Sequence, residues 1–139
     1  MKKILFDTNF IVAYILISDE THNRAIFLEE NENIFGNERF ITNHIVDEVV
    51  TVIGQKSNPQ DALKVYRFLK DNFTIINEYE CFDFNDRVMA RYNKMNSPNH
   101  QKLGFTDSSI IETAKLFDID SIVTFDKEFE KNDEVDIIS

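Results

Sequence analysis

The chain has 139 residues with two prolines, three glycines, one cysteine and no tryptophan, and a formal net charge of -10. Its sequence pI is near 4.7. A chain of this length buries roughly two-thirds of its unfolded surface, so one domain, residues 1–139, is expected without covalent staples. The lone Cys81 excludes an intrachain disulfide and a zinc site built on paired thiolates, and it suits a reducing, cytoplasmic compartment. Three glycines leave no Gly-rich phosphate cradle. The apolar run from Phe10 to Ile17 is too short to cross a bilayer, which needs about 20 residues. Met1-Lys2-Lys3 imitates the start of a secretion signal, but Asp7, Thr8 and Asn9 interrupt the apolar stretch and no small-residue cleavage site follows.

Short apolar runs alternate with helical spacing along the whole chain, which predicts an α/β fold: a three-layer α/β/α sandwich around a parallel sheet of about five strands. Lys3 to Phe6 reads as a buried strand. A helix from Phe10 to Ser18 is apolar on nearly every side, so it is either buried or part of a homodimer contact. Helical spacing resumes from His22 to Glu32. Phe40-Ile41 is a second strand, and Thr42 or Asn43 caps a helix carrying Ile45, Val49 and Ile53. Ser57-Asn58-Pro59 starts a further helix, with proline near its first position. Thr74 to Ile76 is a third strand. A helix from Asn85 to Met95 breaks at Ser97-Pro98-Asn99. Thr106 caps the last helix, which runs to Phe117, and Ser121–Phe125 and Val135–Ile138 supply the final strands.

Loops at the carboxyl ends of parallel strands build ligand sites, and Asp7 and Asp126 both fall there. Either alone reads equally as a turn former or helix cap. Asp107 lies three and four residues before Ile110 and Ile111, so it faces the core side of its helix, where a charge is costly unless something positive meets it. Glu48 borders the apolar stripe of the third helix, but Asp47 lies nearly as close to its other border, and periodicity does not choose between them.

Four blocks carry a resemblance: Phe6-Asp7-Thr8-Asn9, Val46-Asp47-Glu48-Val49, Thr106-Asp107-Ser108-Ser109-Ile110-Ile111 and Thr124-Phe125-Asp126-Lys127-Glu128-Phe129. With them the chain resembles the PIN-domain family of metal-dependent ribonucleases, including the VapC-like toxins. The resemblance implies that Asp7, Glu48, Asp107 and Asp126 bind metal, selects Glu48 over Asp47, and makes Asn9 and Thr106 polar supports. Hard oxygen donors suit Mg²⁺ or Mn²⁺, and a metal pair serves in-line displacement at phosphorus. In this reading Asp7, Asp107 and Asp126 hold metal, and Glu48 holds metal or positions the attacking water. His22, His44 and His100 share no ligand spacing and read as surface or structural residues. The toxin branch implies a small antitoxin partner.

A charge of -10 opposes RNA binding, which rests largely on neutralising phosphates. The segment from Arg87 to Thr106, however, holds four bases and no acid, leaving -14 on the other 119 residues. Arg87, Arg91 and Lys94 recur along one helical face, either as a phosphate-binding row or as a solvated exterior. Other classes fit less well. A haloacid dehalogenase-type phosphatase needs an acid where Asn9 stands, and a phosphate-accepting receiver domain needs an Asp where Asn77 stands. The alternative that survives is a non-catalytic PIN-like module used for assembly.

Overall fold

The computed structural model describes residues 1–96 and 103–139. The expected break at Ser97-Pro98-Asn99, together with His100 and Lys102, lies outside the described residues. Five strands, β1 (Lys3–Phe6), β2 (Glu38–Thr42), β3 (Thr74–Ile76), β4 (Ser121–Val123) and β5 (Asp136–Ile138), form one sheet. Its order is β3-β2-β1-β4-β5 and every pairing is parallel. Ile4, Leu5 and Phe6 are all buried, so the central strand is covered on both faces. This is the α/β/α arrangement that its unbroken apolar run implies.

Six helices complete the fold: α1 (Thr8–Ile15), α2 (His22–Glu32), α3 (Asn43–Lys56), α4 (Pro59–Asn72), α5 (Phe84–Met95) and α6 (Phe105–Leu116). The caps explain several boundaries. The Thr42 hydroxyl accepts from the Ile45 N–H at 3.2 Å and starts α3, while Asn58 caps α4 through the Asp61 N–H at 2.8 Å, with Pro59 at the first position. Two boundaries depart from expectation. Helix α1 begins two residues early because the Asp7 carboxylate accepts the Thr8 N–H at 2.8 Å, and it ends at Ile15 because Leu16 turns extended. Helix α6 is not capped by Thr106: Gly104 is the N-cap, and its carbonyl accepts the Ser108 N–H at 2.9 Å, which makes Thr106 the second helical residue.

The apolar helix α1 is absorbed largely within the protomer. Phe10, Ile11, Val12 and Ala13 are buried, and the exposed part of the run is Ile17, beyond the helix end. Phe6 meets Phe10, Phe35 and Phe73 edge-on or tilted, at centroid distances of 5.7, 5.2 and 4.9 Å. Such contacts add about 0.5–1.5 kcal/mol each to the burial itself, and they lock β1 against α1. The acids after β1 and β4 therefore rise from a rigid floor. Among the described residues no helix is long and apolar enough to cross a membrane.

Candidate functional site

A cavity of about 350 Å³ opens at the carboxyl edge of the sheet. Asp7, Asn9, Glu48, Thr106, Asp107 and Asp126, from four separate stretches of chain, all line it. Each is brought there by a different element. Asp7 follows β1, Glu48 stands on α3 beyond β2, Asp107 lies in the first turn of α6, and Asp126 follows β4.

Asp7 combines three tasks. Its N–H continues the β1–β4 ladder to the Val123 carbonyl at 3.0 Å, its Oδ1 caps α1, and its Oδ2 accepts the Thr124 hydroxyl at 2.7 Å. The same Thr124 Oγ1 accepts the Asp126 N–H at 3.1 Å, so one buried hydroxyl sits between two of the acids. Asn9 closes the arrangement: its Nδ2 donates to Asp7 and Thr124, and its Oδ1 accepts the Phe125 N–H at 3.0 Å. Asp126 caps the short turn Lys127–Lys131 through the Glu128 N–H at 2.9 Å. The local cap roles and the cavity-lining positions thus coexist in the same side chains. Thr106 lines the cavity beside Asp107 but makes no side-chain hydrogen bond to it.

Carboxylate oxygens of Asp107, Asp126 and Glu128 lie within 4.8 Å of one another. Glu128 was not anticipated from its context, since an exposed acid on a turn resembles any surface residue until the fold brings α6 beside it. The crowding is visible in the acid strengths. Burial raises the pKa of Asp7 despite its hydrogen bonds from Thr124 and Thr8, and the charges of Glu48 and Asp126 add to the rise. Asp107 is pushed up to about 7, first by burial and then by Asp126, Asp7 and Glu128. With Asp19, five carboxylates and a single ammonium, that of Lys56, line the cavity among the described residues, a formal charge of -4 that two divalent cations would balance. All these donors are hard oxygens, without cysteine or histidine among the described lining residues, so the set fits Mg²⁺ or Mn²⁺ better than zinc.

The remaining expected groups lie elsewhere. Arg87, Arg91 and Lys94 line a separate depression with Ala90 and Glu112. Arg91 is committed there: its side chain is 13% exposed, its Nε meets Glu112 at 2.8 Å and its Nη1 pairs with Glu134. Arg87 pairs with Asp83 at 3.1 Å. His22 bonds the Ala13 carbonyl through Nδ1 at 2.7 Å, whereas His44 Nε2 meets Glu48 Oε1 at 2.7 Å. Sequence reasoning also passed over Glu78, which is 4% exposed. Its carboxylate accepts the N–H groups of Asn43 and His44 at 3.2 and 3.3 Å, holding the start of the helix that carries Glu48.

A family model described as the PIN domain matches residues 4–135. No curated protein matches the sequence. Among solved structures, the chain is similar to VapC20 of Mycobacterium tuberculosis, described as a sarcin-ricin loop cleaving toxin, with a TM-score of 0.75 and 16% identity over 98% of this chain and 99% of that one. A toxin-antitoxin complex from Klebsiella pneumoniae aligns with a TM-score of 0.67 and 21% identity over 98% and 96% of the two chains. VapBC-1 of nontypeable Haemophilus influenzae aligns at 0.70 and 14% identity, over 96% and 95%.

Proposed function

The chain belongs to the PIN-domain family, and from that premise we propose that it is a ribonuclease hydrolysing RNA phosphodiester bonds with Mg²⁺ or Mn²⁺ held in its acid-lined cavity. The observation that carries this reading is the convergence of Asp107, Asp126 and Glu128 within 4.8 Å in a cavity that Asp7 and Glu48 also line. Like charges so placed raise one another's pKa, and a site that disfavours its own ionisation is stabilised by cations.

Asp7, Asp107, Asp126 and Glu128 would hold the ions. When bound, these supply charge neutralisation at the phosphoryl oxygens and a lowered pKa for the attacking water. Thr124 and Asn9 fix the Asp7 carboxylate, so its oxygens need no reorganisation during the reaction. Glu48, paired with His44, also lines the cavity, and its carboxylate orients the water for attack at phosphorus. The similar structures from toxin-antitoxin complexes support a further reading, that this chain is the toxin of such a pair and binds a small antitoxin protein.

The test is cleavage of labelled single-stranded RNA with Mg²⁺ or Mn²⁺ against EDTA, using the parent chain and Asp7→Asn and Asp107→Asn. Cleavage that requires the ion and disappears in both variants supports the proposal. A folded parent chain that takes up no Mn²⁺ by calorimetry and cuts no RNA is instead a non-catalytic assembly module.

A further inference from the structure

Among the described residues, Lys56 contributes the one cationic side chain lining the acid cavity. It is exposed and makes no ion pair among the described residues, although the protein carries 25 acids. It ends α3, and Glu48, Val52 and Lys56 recur at four-residue spacing, all three lining the cavity. One helix face therefore runs acid, apolar, base along the cavity lining, with about 12 Å of helix rise between the two charged residues. Asp19 also lines the cavity, and despite its partial burial, hydrogen bonds from Thr21 together with the charges of Lys56 and His22 hold its carboxyl below the usual range. The Thr21 hydroxyl and N–H both donate to its Oδ1, at 2.6 and 2.8 Å, and no ion pair to Lys56 forms.

We propose that Lys56 is a substrate-positioning residue: it holds a backbone phosphate of single-stranded RNA a few nucleotides from the bond being cut, with the intervening ribose or base resting on Val52. The inference rests on the ribonuclease reading of the cavity. A lysine suits this role because its ammonium is a compact, hydrated point charge on a flexible stem, able to follow a mobile strand without demanding one phosphate geometry. Without a cation at its mouth, a cavity lined by five carboxylates would repel the incoming chain. With Arg91 committed to Glu112 and Glu134, the row on α5 cannot supply that attraction in full.

Binding of a fluorescein-labelled single-stranded RNA is measured by anisotropy across a salt series, in the non-cleaving Asp107→Asn background, with and without Lys56→Gln. The expected result is a five- to tenfold weaker complex and a slope of log K against log salt shallower by about 0.7, the value for one phosphate contact on a single strand. Lys56→Arg restores both, and Lys64→Gln, on the exposed face of α4, changes neither. In the otherwise unmodified chain the loss in cleavage falls mainly on KM. A lysine that only offsets Asp19 predicts a lower melting temperature for Lys56→Gln with the salt slope unmoved, and that result overturns the proposal. RNA cleavage with an unmoved slope leaves the ribonuclease standing and removes Lys56. A slope that moves in a chain that never cleaves does the reverse, and absence of RNA binding removes both.

Discussion

Replacing Asp107 by asparagine is expected to stabilise the metal-free protein at the cost of its chemistry. The carboxyl has a pKa near 3.8 when unfolded and about 7 in the fold. Between those values the native state binds the proton that the unfolded state has lost, so stability falls as pH rises from about 4 to 7 and is level above. The full shift corresponds to about 4 kcal/mol at roughly 1.36 kcal/mol per pKa unit. The group is only half-buried, so solvent screening halves this to about 2 kcal/mol. Asparagine keeps the shape and does not ionise. For 139 residues, that corresponds to a melting temperature raised by about 7 °C at pH 8. Thermal unfolding in EDTA from pH 8 down to pH 5 measures it, and the gap should shrink as the pH falls through the folded pKa, to roughly a third to two-thirds of its size at pH 5. Added Mn²⁺ should reverse the order, since ions stabilise the fold that binds them. An asparagine variant less stable than the parent at pH 8 without metal, or a gap independent of pH, would refute the electrostatic reasoning.

Arg91→Ala should cost about 3–5 kcal/mol in urea unfolding, because Glu112 and Glu134 lose their shared partner and Glu112 is nearly buried. Arg91→Lys should recover only part of this, having no planar fork to reach both acids. Glu78→Ala should cost about 1–2 kcal/mol by freeing two N–H groups at the start of α3, with Glu78→Gln intermediate. Thr124→Val, close in volume, should lower Mn²⁺ affinity in calorimetry by about 10- to 100-fold, since it withdraws the hydroxyl between Asp7 and Asp126.

The strands were legible because a strand covered on both faces keeps an unbroken apolar run, as Ile4-Leu5-Phe6 does. The inward face of Asp107 was legible for a related reason, since Ile110 and Ile111 mark the buried side of its helix. Other features depend on information that local pattern does not hold. Nothing in the run Phe10 to Ile17 signals a stop, yet Leu16 leaves the helix. Thr106 has the side chain of a cap, but Gly104 has the extended backbone that a cap requires. Arg91 belongs to a row of bases by spacing, while its partners stand 21 and 43 residues further along the chain. Glu128 and Thr124 acquire their places only when α6 and β1 arrive beside them. Lys56 shares the helix face of Glu48, but nothing local ranks it above the other exposed lysines.

The bond from Thr124 to Asp7 joins residues 117 positions apart, and the strand between the two halves of the sheet is the first to be made. A growing polypeptide on the ribosome therefore has its first acid long before β4 exists to seat it. Parallel pairing over such separations is slow to nucleate, so the cavity comes into being near the end of both synthesis and folding. The acid-lined cavity is thus among the last features of the nascent chain to be completed.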